Sequence, residues 1–131
     1  MSRLMSVSLT EQAVRDQRKT VTRRLGWLDL QPGMRLTLCR KVMGRKRPDG
    51  TVEPLVRLAE VEIVNVRREP LHAITRADVA LEGFEGLTVE GFVRFFCQNM
   101  RCQPDTFVTR IEWRYLEDVA AGVQISERAA S

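Results

Sequence analysis

Between Leu55 and Val66 the apolar residues keep a two-residue period but change phase twice: Val56 and Leu58 share one face, Ala59, Val61 and Ile63 the other, and Val64 and Val66 return to the first. Successive side chains of a regular strand point to opposite faces, so no single flat strand can carry this pattern. An extra residue at a change of phase, a β-bulge, restores it. Bulges bend and twist the strand that contains them, and they are common where a sheet curls towards a barrel. The segment therefore predicts a bulged strand within a curled sheet.

The rest of the chain supplies partners for that strand. Phe107, Thr109, Ile111, Trp113 and Tyr115 alternate with Val108, Arg110, Glu112 and Arg114, the cleanest strand pattern present. Leu4, Ser6 and Ser8 alternate with Met5, Val7 and Leu9, a short strand ahead of Thr10, which is placed to cap a helix from Glu11 to about Asp16. Pro32-Gly33 has the order a type II turn favours, and Met34, Leu36 and Leu38 then alternate with Arg35 and Thr37 as a half-buried strand. Gly44, the trio Arg45-Lys46-Arg47 and Pro48-Asp49-Gly50 mark a solvated hairpin tip. Thr75 is placed to cap a short helix reaching Glu82, with Asp78 in the capping-box position. Thr88 opens another helix, whose Val89, Phe92, Val93 and Phe96 form one apolar stripe. After Asp118 the chain turns small and polar, and residues 119–131 are expected to be a disordered tail. Strands dominate, with two or three helices outside them. The expectation is one α+β domain over residues 1–118, a small, closed or nearly closed β-barrel.

A chain of 131 residues is long enough to bury one core without disulfides or metals. No run approaches the length of uncharged residues that a membrane span needs, and Met1-Ser2-Arg3 leads into the first strand without the apolar region of a secretory signal. A cytoplasmic location without membrane attachment is expected. Cys39, Cys97 and Cys102 are an odd set, the last two in a C-x4-C spacing used by no common zinc module, and His72 is the only histidine. Reduced, mostly buried thiols, no metal and no cofactor are expected, and acid–base work falls to Lys, Glu or Asp. The net charge of +4 is unevenly spread: residues 1–68 hold 15 Lys/Arg against 7 Asp/Glu, and residues 69–131 hold 6 against 10. The basic first half attracts anions, of which nucleic acid is the commonest large one in a cytoplasm.

Two islands carry chemistry. Arg18-Lys19-Thr20-Val21-Thr22-Arg23-Arg24 packs four cations and two hydroxyls into seven residues. Lys19 and Thr22 would point to opposite faces of a regular strand, so they meet only if Lys19 sits at a helix exit and Thr22 begins the next strand. The alternative is a basic edge strand with solvated side chains. Glu82 precedes Gly83, which suits the left-handed position that ends a helix. The helix dipole disfavours a carboxylate there by about 0.3 to 1 kcal/mol in exposed cases, unless a cation such as Lys19 compensates. An exposed Glu tolerating that cost is the other reading. Trp27 offers a stacking face or, flanked by Leu25 and Leu28, joins the core.

The basic motif near the N-terminus, Pro32-Gly33 before a strand, Glu82-Gly83-Phe84, the Phe-rich helix and the closing Val108-Thr109-Arg110-Ile111-Glu112-Trp113 strand together resemble the ASCH domain, a PUA-like β-barrel, over roughly residues 3–117. The resemblance implies a cleft for RNA or a modified nucleobase or nucleoside. ASCH relatives include an amidohydrolase acting on N4-acetylcytidine and proteins reported as ribonucleases. Lys19, Thr22 and Glu82 match that amidohydrolase's catalytic lysine, threonine and glutamate. Gln17 stands where the family's G-x-K-x-x-T motif has glycine, which costs about 1 to 2 kcal/mol if the backbone there needs a positive φ. Three readings follow: hydrolysis of an N4-acylcytidine-type amide, ribonuclease chemistry in the same cleft, or RNA binding without turnover. In the last, Arg18, Lys19, Arg23 and Arg24 contact phosphates, Thr22 and Glu82 bond a base edge, Trp27 stacks on a base, and Arg45, Lys46 and Arg47 add affinity for longer RNA.

Overall fold

The structure is a computed structural model that describes residues 3–40, 46–52 and 54–116. The tail expected over 119–131 and Arg45 of the hairpin tip lie outside the described residues. Among the described residues five strands form one sheet: β1 (Arg3–Ser6), β2 (Val21–Arg24), β3 (Arg35–Cys39), β4 (Arg57–Pro70) and β5 (Phe107–Tyr115). Their order across the sheet is β1-β3-β4-β5-β2, with β1 parallel to β3 and every other pairing antiparallel. Three helices accompany them: α1 (Glu11–Arg15), α2 (Arg76–Leu81) and α3 (Val89–Met100).

Both changes of phase in the long segment are bulges. Leu38 pairs with Ala59 while Cys39 pairs with Arg57, so Leu58 is an extra residue against β3. Ile63 pairs with Trp113 while Asn65 pairs with Glu112, so Val64 is an extra residue against β5. With these two bends the 14-residue β4 pairs with β3 through its first part and with β5 through its second. The sheet curls into a half-barrel whose end strands, β1 and β2, are not paired to each other. A side chain spans the opening instead: Arg24 Nη2 on β2 donates to Ser6 O on β1 at 2.8 Å.

Two apolar clusters cover the sheet. One fills the curl, with Met5, Val14, Leu36, Leu38, Ile63, Ile111 and Trp113. The other, with Leu71, Val79, Phe92, Phe96 and Val108, joins α2 and α3 to the outer face of β5. Burying a side chain such as Phe92 stabilises the fold by about 1.5–3 kcal/mol. Strand β3 is not half-buried as its alternation suggested: Leu36, Thr37, Leu38 and Cys39 are all buried, while Met34 before them is 41% exposed. Thr37 tolerates burial because its hydroxyl bonds Glu60 at 2.6 Å.

The helix starts differ from one another for local reasons. Thr75 and Thr88 act as expected, accepting from Asp78 N at 3.2 Å and Gly91 N at 3.0 Å. Thr10 does not cap with its side chain, because a 3-10 turn over Ser8–Thr10 runs directly into α1. Asp78 does not complete a capping box either, since its carboxylate is held by Arg110 and Arg23. Among the described residues no helix is long and apolar enough to cross a membrane.

Candidate active site

The backbone of Lys19 is fixed from three sides. Helix α1 ends through Gln17, which adopts the left-handed φ of 58, and the amides of Arg18 and Lys19 both donate to Ala13 O, at 2.8 and 3.2 Å. The carbonyl of Lys19 then accepts from Trp113 Nε1 at 3.0 Å and Tyr115 OH at 2.6 Å. Thr20 N donates to Leu81 O at 3.0 Å, tying the same segment to the end of α2. Gln17 thus occupies the glycine position of the motif in the conformation that makes glycine favourable. Gln17→Gly is expected to stabilise the fold by about 1 kcal/mol, the relief of left-handed strain less the extra entropy of an unfolded glycine, as a rise in the urea midpoint would show.

Glu82 is delivered by a glycine of a different kind. Gly83 has φ 98, and a Cβ on it would sit 3.0 Å from Ala13 Cβ and 3.2 Å from Thr10 Cγ2. The end of α2 can press against α1 only because that Cβ is missing. Lys19 Nζ then donates to Glu82 O at 2.6 Å and to Glu82 Oε1 at 3.3 Å, and Arg23 Nη1 donates to Oε2 at 3.1 Å. The Lys19 and Glu82 side chains are 3% and 4% exposed. Two cations therefore offset the unfavourable placement of a carboxylate at a helix C-terminus.

The ammonium is poised between opposing effects. Burial pushes the Lys19 pKa down, the charge of Glu82 pulls it up, and the nearby Arg24 and Arg23 push it down again, with a net lowering. Thr22, the second residue of β2, is also buried, and its Oγ1 accepts from Arg24 Nε at 3.2 Å. The guanidinium of Arg23 is fully enclosed, with Nη2 bonded to Glu69 Oε2 at 2.9 Å and Asp78 Oδ2 at 2.7 Å. Arg23 Nε is a buried donor without a partner among the described residues, and such a group costs about 1–3 kcal/mol unless something fills the gap.

These groups surround a cavity of about 250 Å³ beside the β1 and β2 edges of the half-barrel. Lys19, Thr22, Arg23 and Glu82 line its polar side. The opposite wall is aromatic, built from Phe84 and, on α3, Phe92, Phe95 and Phe96, with Asn99 beyond them. The Phe84 ring centroid lies 5.5 Å from that of Phe92 and 5.2 Å from that of Phe95. The apolar stripe expected on α3 includes two of these rings, Phe92 and Phe96, but neither Phe95 nor Asn99. Its missed signal is that Phe92, Phe95, Phe96 and Asn99 fall at i, i+3, i+4 and i+7, so one helical face ends on an amide.

Of the other expected ligand contacts, Arg23 and Arg24 line the cavity, and the rest are scattered. Arg18 is exposed and paired with Asp16 and Glu85. Arg23 spends its charge on three carboxylates. Trp27 packs against the cluster inside the curl, and the Arg3 guanidinium lies 4.4 Å from its ring centroid, so it does not line the cavity. Lys46 and Arg47 lie exposed on the hairpin and are likewise outside the cavity wall. Among the described residues no three His, Cys, Asp or Glu side chains gather as a metal set.

The curled five-stranded sheet with its three helices is a fold that this chain shares with a solved ASCH domain. Solved structures similar to this chain make the comparison specific. An ASCH domain from Lactobacillus crispatus JV V101 is 14% identical, with a TM-score of 0.56 over 87% of this chain and 79% of that one. A protein from Enterococcus faecalis V583 described by the family name DUF984 is 18% identical, with a TM-score of 0.56 over 88% of this chain and 76% of that one. The hypothetical protein PH0355 is 13% identical, with a TM-score of 0.60 over 88% of this chain and all of that one. At these identities the likeness is one of fold. No family model and no curated protein matches the sequence.

Proposed function

We propose that this protein is a cytoplasmic ASCH-type amidohydrolase whose cavity takes a modified pyrimidine nucleoside and cleaves an N4-acylcytidine-type amide. The observation that carries this reading is the enclosed Lys19–Glu82 pair sharing one small cavity with Thr22. At about 250 Å³ the space falls just under the range of about 300–1,000 Å³ usual for drug-sized ligands. That suits a single base with a short acyl group, held flat against the phenylalanine wall. A strand of RNA would need an open groove and several unspent cations, whereas Arg24 is the one arginine of the lining without a carboxylate partner among the described residues.

In the proposed reaction, Lys19 in its neutral form takes the proton of the Thr22 hydroxyl, and Thr22 Oγ attacks the acyl carbonyl. The developing oxyanion falls to the unpaired Arg23 Nε–H. Glu82, bonded to Lys19, relays that proton to the exocyclic nitrogen as the C–N bond breaks, and cytidine leaves. Water, deprotonated by the same pair, hydrolyses the threonine ester and releases the acid. In the resting site Lys19 is bonded to Glu82 and Thr22 accepts from Arg24, and the Lys19–Thr22 bond that the reaction requires forms when substrate binds, since catalytic hydrogen bonds often tighten only in the complex.

The test is incubation of the full chain with N4-acylcytidines of increasing acyl length and, separately, with single-stranded RNA across a salt series. Cytidine and free acid should appear at a rate nearly independent of salt, because the nucleoside carries no phosphate. Intact nucleosides throughout, together with RNA affinity that falls steeply with salt as counterions are released, would replace this reading with an RNA-binding module using the exposed Lys46–Arg47 turn.

A further inference from the structure

Helix α3 ends in a left-handed residue, Arg101 (φ 53, ψ 55), and Cys102 N donates back to Cys97 O at 3.3 Å. In such a turn the residue after the left-handed one lies beside a residue of the last helical turn, and the pair is commonly an apolar contact. Here the two positions are both cysteines. Cys97 Sγ and Cys102 Sγ lie 4.0 Å apart, and both thiols are free and only partly buried. They line an open groove of about 620 Å³ with Val89, Val93 and Pro104, so a small reagent reaches them without unfolding. Cys39, at 0% exposure, offers no such access.

We propose that Cys97 and Cys102 are a modification site for small disulfides, closing into a reversible intramolecular disulfide that fastens the C-terminal turn of α3. One cysteine thiolate attacks a sulfur of a low-molecular-weight disulfide, forming a mixed disulfide and expelling one small thiolate. The second cysteine thiolate attacks the protein-bound sulfur, forming the Cys97–Cys102 bond and expelling the other. The protein loses two thiol protons and two electrons, and the small disulfide gains them as two thiols. A sulfur–sulfur bond is about 2.05 Å long, so the two atoms must approach by about 2 Å, within reach of side-chain rotation across a turn the backbone already closes. Burial pushes the Cys102 thiol up, so exchange quickens as pH rises. The fastened turn contains Asn99 and Met100, which line the Lys19 cavity, so the bond would stiffen one wall of that cavity.

Chain chemistry provides a direct test. Arg101 is the tryptic cleavage point between the two cysteines, so the reduced protein yields Cys97 and Cys102 on separate peptides. After treatment of the full chain with oxidised glutathione, the expected digest contains those two peptides joined, separating on reduction, with Cys39 unmodified. Glutathione remaining on either cysteine in place of the link, unmodified thiols after excess reagent, or a link to Cys39 would each overturn the proposal. Cys97→Ser should instead retain a glutathione adduct on Cys102. Amides of residues 98–102 should exchange with deuterium about tenfold more slowly in the oxidised protein, and unchanged exchange would remove the fastening role.

Discussion

Methionine in place of Lys19 is expected to slow cleavage of an N4-acylcytidine by roughly 10²–10⁴-fold, the range for loss of a positioned acid–base group, with little loss of stability. Methionine keeps the unbranched stem and fills the buried space. Glu82 is not orphaned by the change, because Arg23 Nη1 still bonds it at 3.1 Å. The reverse experiment is less clean: Glu82→Ala would leave a buried ammonium beside Arg23 and Arg24 with only the Glu82 carbonyl for company, so lost activity could reflect lost structure. The pH dependence adds an independent check. Burial lowers the Lys19 pKa below the value near 10.4 of an unfolded lysine, so between those two values the unfolded chain binds the extra proton. Stability should therefore rise with pH across that window and be flat below it with respect to this group. Lys19→Met should lose that slope along with turnover. A variant that turns over at the wild-type rate would remove Lys19 from the chemistry.

The parts of this molecule that could be read from the chain are those set by local geometry. Leu58 and Val64 announced themselves as bulges because a strand has only two faces, and each extra residue inverts the pattern that follows. Gln17 drew attention only through the resemblance, as the residue at the motif's glycine position, and its left-handed φ of 58 meets the condition stated for it there. Glu82-Gly83 read correctly as a helix end, but the contact of Gly83 with Ala13 and Thr10 is tertiary and left no trace in the residues around it. The double burial of β3 was hidden for the same reason, since Thr37 looks like a solvent-facing residue until Glu60 is placed opposite. The cationic motif suggested phosphates where it is densest, and its local sequence says nothing of the carboxylates that Arg18 and Arg23 meet from far along the chain. Trp113 and Tyr115 read as strand residues, and nothing in their alternation says that both hold the carbonyl of Lys19.

Asp78 gives the second large effect, this time on stability. Asp78→Ala is expected to cost about 3 kcal/mol, the low end of the range for breaking a buried ion pair. The low end applies because neither arginine is left alone: Arg110 keeps Glu112 at 3.2 Å, and Arg23 keeps Glu69 and Glu82 at 2.9 and 3.1 Å. Against a total stability of about 5–15 kcal/mol, the variant should still fold but with a visibly lower urea midpoint. Burial by itself would raise the Asp78 pKa, but hydrogen bonds and charge from Arg110 and Arg23 outweigh it and hold the carboxyl down at about 2. An unfolded Asp titrates near 3.9, so as pH falls the unfolded chain takes up this proton first. The contribution is complete above about pH 4 and is lost as pH drops towards about 2. Urea unfolding over that window should show wild-type stability falling steeply, with Asp78→Asn falling less because it has no carboxyl there to protonate. Equal slopes in the two proteins would mean that other carboxylates govern acid unfolding. Asp78 does not line the cavity, so its loss should reach catalysis only through the aim of Arg23, and a variant that unfolds more easily yet turns over near the wild-type rate is the expected pairing.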